Sequence, residues 1–538
     1  MTRPIPPTRA MREQPDLDQL ERQAKELLKA YRAGEAHAVA EVAAHDRRPQ
    51  TETFALHDAQ LVLARSYGFN SWSTLKAYVD GVTVRRLADA VRAGDIRSAR
   101  AMLEVRPELV HTDMAANDEH RALHYAVLDR APEMVRLLMA HGADARKGIY
   151  PHRDATSALA IASDRGYGEI LAIIDEEEQR RGQQTGNLNA ARPTEPGAEQ
   201  AAHSAVARGD ADWLRARHAE GALTNPAVVN IFEPSNDLLT LAVKHDRPEI
   251  LSLLLELGFD PDERMRLSGL EPPEYSWGAP LWHCAAAGRL AMAELLLKRG
   301  ADPNGRVYAS GSPVFSAYRA GDEAMIALLE QYGGKTDAIT AAMHGRAEMA
   351  AKMLTGEVDG RLLDGMFAGR TVAEQILWGA ADGGYPEIVR TALARVDWPR
   401  DDARWYRILW RPLPVRTARP DFQRYLECLR LLLERGDANA PGSFGRTLLH
   451  DVAARGDADE QVAFATLLLD AGARLGVRDD LLKSTPLGWA CRWGRVEMVR
   501  LLLDRGADSI EAEGEPWSTP RAWAEAKKQA TVLALLSG

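Results

Sequence analysis

The sequence predicts an all-α fold, an α-solenoid built from stacked helix pairs. Three observations point there. Self-similar segments recur along most of the 538 residues, the copies carry a Leu-Leu-Leu helix bounded by glycines, and alternating strand-like patterns are nearly absent. A chain this long must divide into domains or repeat, and the self-similarity decides for repetition.

The clearest copy is APLWHCA from Ala279, followed by a turn at Gly288 and AMAELLLKRGADPN ending at Asn304. STPLGWACRWGRVEMVRLLLDRGAD, from Ser484 to Asp508, nearly repeats it. RALHYAVLDRAPEMVRLLMAHGADA from Arg121 and RTLLHDVAARGDADEQVAFATLLLDAGA from Arg446 are further copies. These segments resemble the ankyrin repeat, whose pattern is TPLHxAA, a Gly turn, an LLL helix and GADxN. The unit starts lie near 121, 157, 200, 237, 279, 312, 336, 375, 447, 485 and 519, with a degenerate unit between 375 and 447. Together with a unit from Val84, that predicts about 12–13 repeats over residues 82–538, several degenerate.

One unit shows why these residue types recur. Thr485 can cap the first helix and Pro486 suits its first turn, where an amide has no partner inside the helix. Gly494 permits reversal into the second helix, and Gly506 stops that helix in a left-handed conformation. A lone helix pair cannot bury Leu501, Leu502 and Leu503; stacking can. Where the TPLH histidine occurs, at His124 and His450, the resemblance implies hydrogen bonds between neighbouring repeats.

Four regions depart from the period. Residues 1–16 are rich in Pro and Arg and are expected to be a disordered tail. Residues 17–80 read as a separate helical module, similar to one preceding ankyrin arrays in many bacterial proteins, and suited to capping the first repeat. Residues 179–200 read as a flexible excursion, and 264–278 as an enlarged hairpin between two good repeats. The insertion 396–422 carries Trp398, Trp405, Tyr406 and Trp410. Insertions in solenoids map to loops on one face, often the binding face. The last unit lacks the GAD terminus and bears Lys527 and Lys528, as a solubilising cap should.

Acidic residues exceed basic ones, 77 to 67, for a net charge of −10, which disfavours nucleic acid as the partner. Cys284, Cys428 and Cys491 are far apart and suggest neither disulfides nor a zinc site. No signal-peptide core and no apolar run of membrane-spanning length is present, so a cytoplasmic protein without membrane association is expected. Catalytic signatures are missing: there is no GxSxG, HExxH or Walker loop. Successive helix residues point about 100° apart, so His283 cannot readily serve Cys284 as a base. Neither a catalytic residue, a metal nor a cofactor is predicted, and whether the chain is an enzyme stays open.

The resemblance places a concave groove at the residues just before each inter-helix glycine and at the hairpin tips. Those pre-glycine positions hold eight Arg or Lys and three Asp. The candidate partner-binding residues are Arg208, Lys244, His245, Arg319, His344, Arg455, Arg492 and Trp493, with Tyr275, Trp277, Tyr308 and Phe444 at hairpin tips. Trp405, Tyr406 and Trp410 of the long insertion complete the set. Such a strip suits an acidic protein partner, because Arg offers paired donors and aromatics supply area. The alternative is an enzyme or small-molecule binder whose pocket the Trp-rich insertions close over the groove.

Overall fold

The computed structural model describes residues 9, 16–45, 54–115, 118–150, 152–191, 198–223, 228–230, 238–271, 274–360, 370–413, 421–455 and 459–537. Two compact units divide the chain, residues 1–335 and 336–538. Each is an α-solenoid segment of antiparallel helix pairs.

The first unit opens with four helices, Leu17–Arg32, Ala36–His45, Leu56–Ser66 and Trp72–Val79. Asp16 and Ser71 cap the first and fourth through bonds to Asp18 N and Thr74 N. Leu27, Val42, Phe54 and Val62 form one small core, and Leu20, Ala64, Phe69 and Leu75 another. Of the expected tail, most lies outside the described residues; Arg9 makes a paired contact with Glu41 at 2.7 and 2.8 Å.

Seven helix pairs follow among the described residues, beginning at Val84, Ala122, Ala158, Ala198, Leu238, Ala279 and Pro313. From Ala202 to Leu329 one apolar core runs through the last four pairs, with Leu239, Leu254, Leu281, Leu296 and Met325 essentially buried. The turn chemistry is the one read from sequence. Ser312 accepts from Phe315 N at 3.1 Å, Pro313 fills the first helical position, and Gly321 ends the helix at φ 68°.

Two departures are corrected here. The excursion expected over 179–200 is helical up to Ala191, within the helix Gly168–Ala191. Its Glu, Gln and Arg are good helix formers and no proline intervenes before Pro193, so polarity alone did not end the helix. The enlarged hairpin at 264–278 is a β-hairpin. Strand β1 (Val228–Asn230) pairs in parallel with β2 (Met265–Ser268), which pairs antiparallel with β3 (Glu274–Ser276), setting Arg266 opposite Tyr275. Met265 and Leu267 are buried while Arg266 is half-buried, an alternation of period two too short to stand out in sequence.

The second unit has six described helix pairs, beginning at Ala338, Val372, Arg404, Leu448, Pro486 and Pro520. The degenerate unit is the pair Arg404–Leu409 and Phe422–Leu433, so part of the long insertion is a repeat helix and not a loop. Residues 414–420 of that insertion lie outside the described residues. The helix near 375 starts earlier than the repeat frame suggested, capped by Thr371, whose hydroxyl accepts from Glu374 N at 3.2 Å.

The two TPLH histidines join neighbouring repeats. His124 accepts from Arg121 N through Nδ1 at 3.0 Å and donates from Nε2 to Lys147 O at 2.9 Å. His450 accepts from Thr447 N at 3.0 Å and donates to Ser484 O at 3.2 Å. Burial holds both well below the usual histidine range, His124 at about 3, so each is the neutral imidazole this geometry requires.

Candidate functional site

In the second unit, aromatic and cationic side chains at the ends of successive first helices interleave. The Arg411 guanidinium lies 3.9 Å from the Trp378 ring centre and 4.8 Å from that of Trp410. Arg455 stands 4.5 Å from Trp410, so that indole carries two guanidiniums. A second run begins at Trp493, with Arg492 at 4.8 Å from its ring and 5.1 Å from that of Trp523, and Lys527 at 5.9 Å from Trp523. Each such contact contributes about 0.5–2 kcal/mol, rising with desolvation.

A guanidinium stacked by its face on an indole keeps its N–H edge in the plane of the stack. The strip can therefore hold its cations in place and still present donors to a carboxylate. Only Trp410, Arg455, Arg492 and Trp493 of this strip were anticipated. Trp378 and Arg411 were missed because they lie in units without a recognisable motif, and Trp523 because it sits on the terminal unit's inner helix.

Four anticipated residues do not present a surface. Trp405 is fully buried, with Nε1 donating to Pro399 O at 2.8 Å and its ring edge-on to Trp398 at 5.1 Å. Tyr406 donates its hydroxyl to the Asp451 carboxylate, and burial beside that charge pushes its phenol far up. Tyr275 is packed in the β-hairpin, and Arg492 is 6% exposed between its two indoles. The physical reason is common to all four: the insertions fold into the repeats, and what is large and apolar goes inside.

The others are placed as follows. Arg208, Lys244, His245 and Arg319 are exposed in the first unit. Trp277 is half-buried, donating from Nε1 to Asp302 Oδ2 at 3.1 Å, and Tyr308 is half-buried with its backbone N donating to Ser276 Oγ at 3.1 Å. In the second unit His344, Trp410, Phe444, Arg455 and Trp493 are half-buried, Phe444 with a left-handed backbone at φ 57°. No single site brings all of them together.

The β-hairpin is held by the first repeat of its own unit. Gly269 O accepts from Asp113 N at 2.8 Å, and Glu271 accepts from Val84 N at 2.7 Å and from Arg106 Nη1 at 2.5 Å. Beside it, Arg121 donates to Asp113 at 2.6 Å and Lys147 to Glu119 at 3.0 Å. The hairpin tip is thus engaged by the chain itself.

None of the described helices is long and apolar enough to cross a membrane. Among the described residues, no group of three or more His, Cys, Asp or Glu could hold a metal ion. Burial pushes Cys284 up to about 12, leaving it a protonated core thiol.

Comparison with known proteins bears on these observations. A family model described as "Ankyrin repeats (3 copies)" matches residues 418–511, and one described as "Ankyrin repeat" matches 278–306. Similar relatives are the Notch-regulated ankyrin repeat-containing proteins of Xenopus tropicalis, Homo sapiens and Mus musculus. Each is 31% identical over 96 residues, which span 79% of the relative and 17% of this chain.

Proposed function

The chain belongs to the ankyrin-repeat family, whose arrays generally mediate protein–protein interaction, and on that footing we propose that it binds an acidic segment of a protein partner along the Arg–Trp strip of its second unit. The observation carrying this reading is Trp410 held between Arg411 and Arg455. Pre-set cations and flat aromatic area recognise carboxylates with little ordering left to do on binding. The pocket reading loses its motive, because the Trp-rich insertion packs into the repeat core and the hairpin is engaged by the first repeat. The test is titration of the protein with a fluorescent peptide of alternating Glu and Leu. Arg455→Glu should weaken binding at least tenfold, and unchanged affinity would overturn the reading.

A further inference from the structure

We propose that the first unit carries a separate site for a doubly charged phosphoryl group, formed where Lys244, His283 and Arg319 come from three consecutive repeats. The inference stands apart from the reading of the second unit, and rests on different residues.

The placement follows from the stack. Lys244 ends the helix Leu238–Lys244, His283 lies on Ala279–Ala287, and Arg319 lies in the last turn of Pro313–Ala320. The middle helix is therefore flanked by a cation from each neighbour, and both have side chains long enough to lean over it. Arg319 is held there, its guanidinium 4.9 Å from the ring centre of Trp282. Trp282 is itself pinned by Nε1 donating to Ser310 O at 3.1 Å, and it meets His283 edge-on at 4.9 Å. The turn after the middle helix adds Arg289, whose Nε lies 3.5 Å from Asp246.

The charges do not balance. Lys244, Arg289 and Arg319 supply three positive charges, and Asp246 supplies one negative, leaving +2 around one imidazole. Asp322, the next carboxylate along the chain, accepts from Met325 N at 3.0 Å as the cap of the following helix. Among the described residues, no carboxylate pairs with Lys244 or Arg319. Like charges this close repel unless an anion joins them, and a phosphate monoester carries nearly two negative charges at pH 7. A single carboxylate would neutralise half of the excess.

The imidazole reports on occupancy. Burial and the three cations push His283 down to about 4, so at neutral pH it is uncharged and offers one N–H. The groups facing it are Lys244 from the preceding repeat, Arg289 from its own repeat and Arg319 from the next; His245 and Asp246 follow Lys244 in the turn. A bound dianion reverses the sign of the field, so protonation of His283 becomes easier.

The phosphoryl group could arrive on a partner's side chain or as a free ion, and the experiment separates these. Full-length protein is labelled with ¹³C at histidine, and the His283 signal is assigned by its loss in His283→Gln. It is titrated against pH with a five-residue phosphoserine peptide, the same peptide carrying serine, and inorganic phosphate. The expected result is a rise of at least one unit in the His283 midpoint with the phosphopeptide and none with the serine peptide. Lys244→Ala/Arg319→Ala, changing two exposed residues, should weaken phosphopeptide binding at least tenfold. Inorganic phosphate matching the phosphopeptide in affinity would assign the site to the free ion, and weaker phosphate binding assigns it to a modified partner. An unmoved His283 with both phosphate probes, or a shift that survives in the double variant, overturns the site.

Discussion

Glu271 accepts a hydrogen bond from Arg106 at 2.5 Å across 165 residues of sequence, with 6% and 7% of the two side chains exposed. The pair joins the tip of the β-hairpin to the first repeat of the same unit. Two buried charges of opposite sign tolerate desolvation together and not singly, so the contact acts as a clasp.

Removing one partner of the clasp is expected to cost about 3–5 kcal/mol, because the other charge stays buried. Glu271→Ala should therefore lower the thermal midpoint of the first unit and raise amide exchange in residues 264–276. Arg106→Met/Glu271→Leu, which removes both charges, should recover most of the loss. Equal destabilisation by the single and double changes would show that the pairing is not what holds the hairpin.

The buried histidine His124 makes stability depend on pH, and the sign is fixed by its depressed pKa. It is neutral when folded down to about pH 3, whereas in the unfolded chain it protonates near 6.5. Its contribution is therefore complete above pH 6.5 and is lost as pH falls towards 3, at about 1.4 kcal/mol per unit. Denaturant unfolding at several pH values should show this slope, and His124→Gln should flatten it. A His124→Gln protein with the wild-type slope would assign the acid sensitivity elsewhere.

Trp405 is predicted to matter for folding and not for partner binding. Trp405→Ala should cost about 3–5 kcal/mol through the cavity it leaves. Arg455→Glu should leave the unfolding midpoint within about 0.5 kcal/mol of wild type, as is usual for less buried positions. Calorimetry beside the acidic-peptide titration would separate them; weakened peptide binding by folded Trp405→Ala would contradict the assignment.

At the turn after Val372–Gly383, Gly384 has φ 72°, and a Cβ there would come within 2.7 Å of the Tyr425 ring. Gly384→Ala combines a left-handed backbone with a steric clash, and should destabilise the second unit by about 2–4 kcal/mol. Gly34→Ala has a similar φ of 73° but no atom within 4 Å, and should cost only about 1 kcal/mol. Chemical denaturation of both variants checks the difference.

Much of the repeat framework was legible in the sequence because its determinants are local. The cap of Ser312 on Phe315 N spans three residues, and the reversal at Gly321 depends on one backbone conformation. The TPLH histidines were legible too, since the motif places each beside the same partner in every stacked pair. The candidate site was less legible. Trp405 and Tyr406 looked like a surface cluster, yet helix Arg404–Leu409 turns Trp405 into the core and Tyr406 towards Asp451. Arg411 on Trp378 joins residues 33 apart in sequence, in two units with no motif between them.

By itself, the sequence determined that this chain makes paired helices, where most of them begin, and that they must stack to bury their leucines. Only the tertiary structure decided which aromatics face inward, which cations lie on indoles, and that the 264–278 hairpin reaches back to Arg106. The physical reason is range. Caps, glycine turns and helical periodicity act within a few residues, whereas burial and charge pairing depend on side chains that meet only after the units have packed.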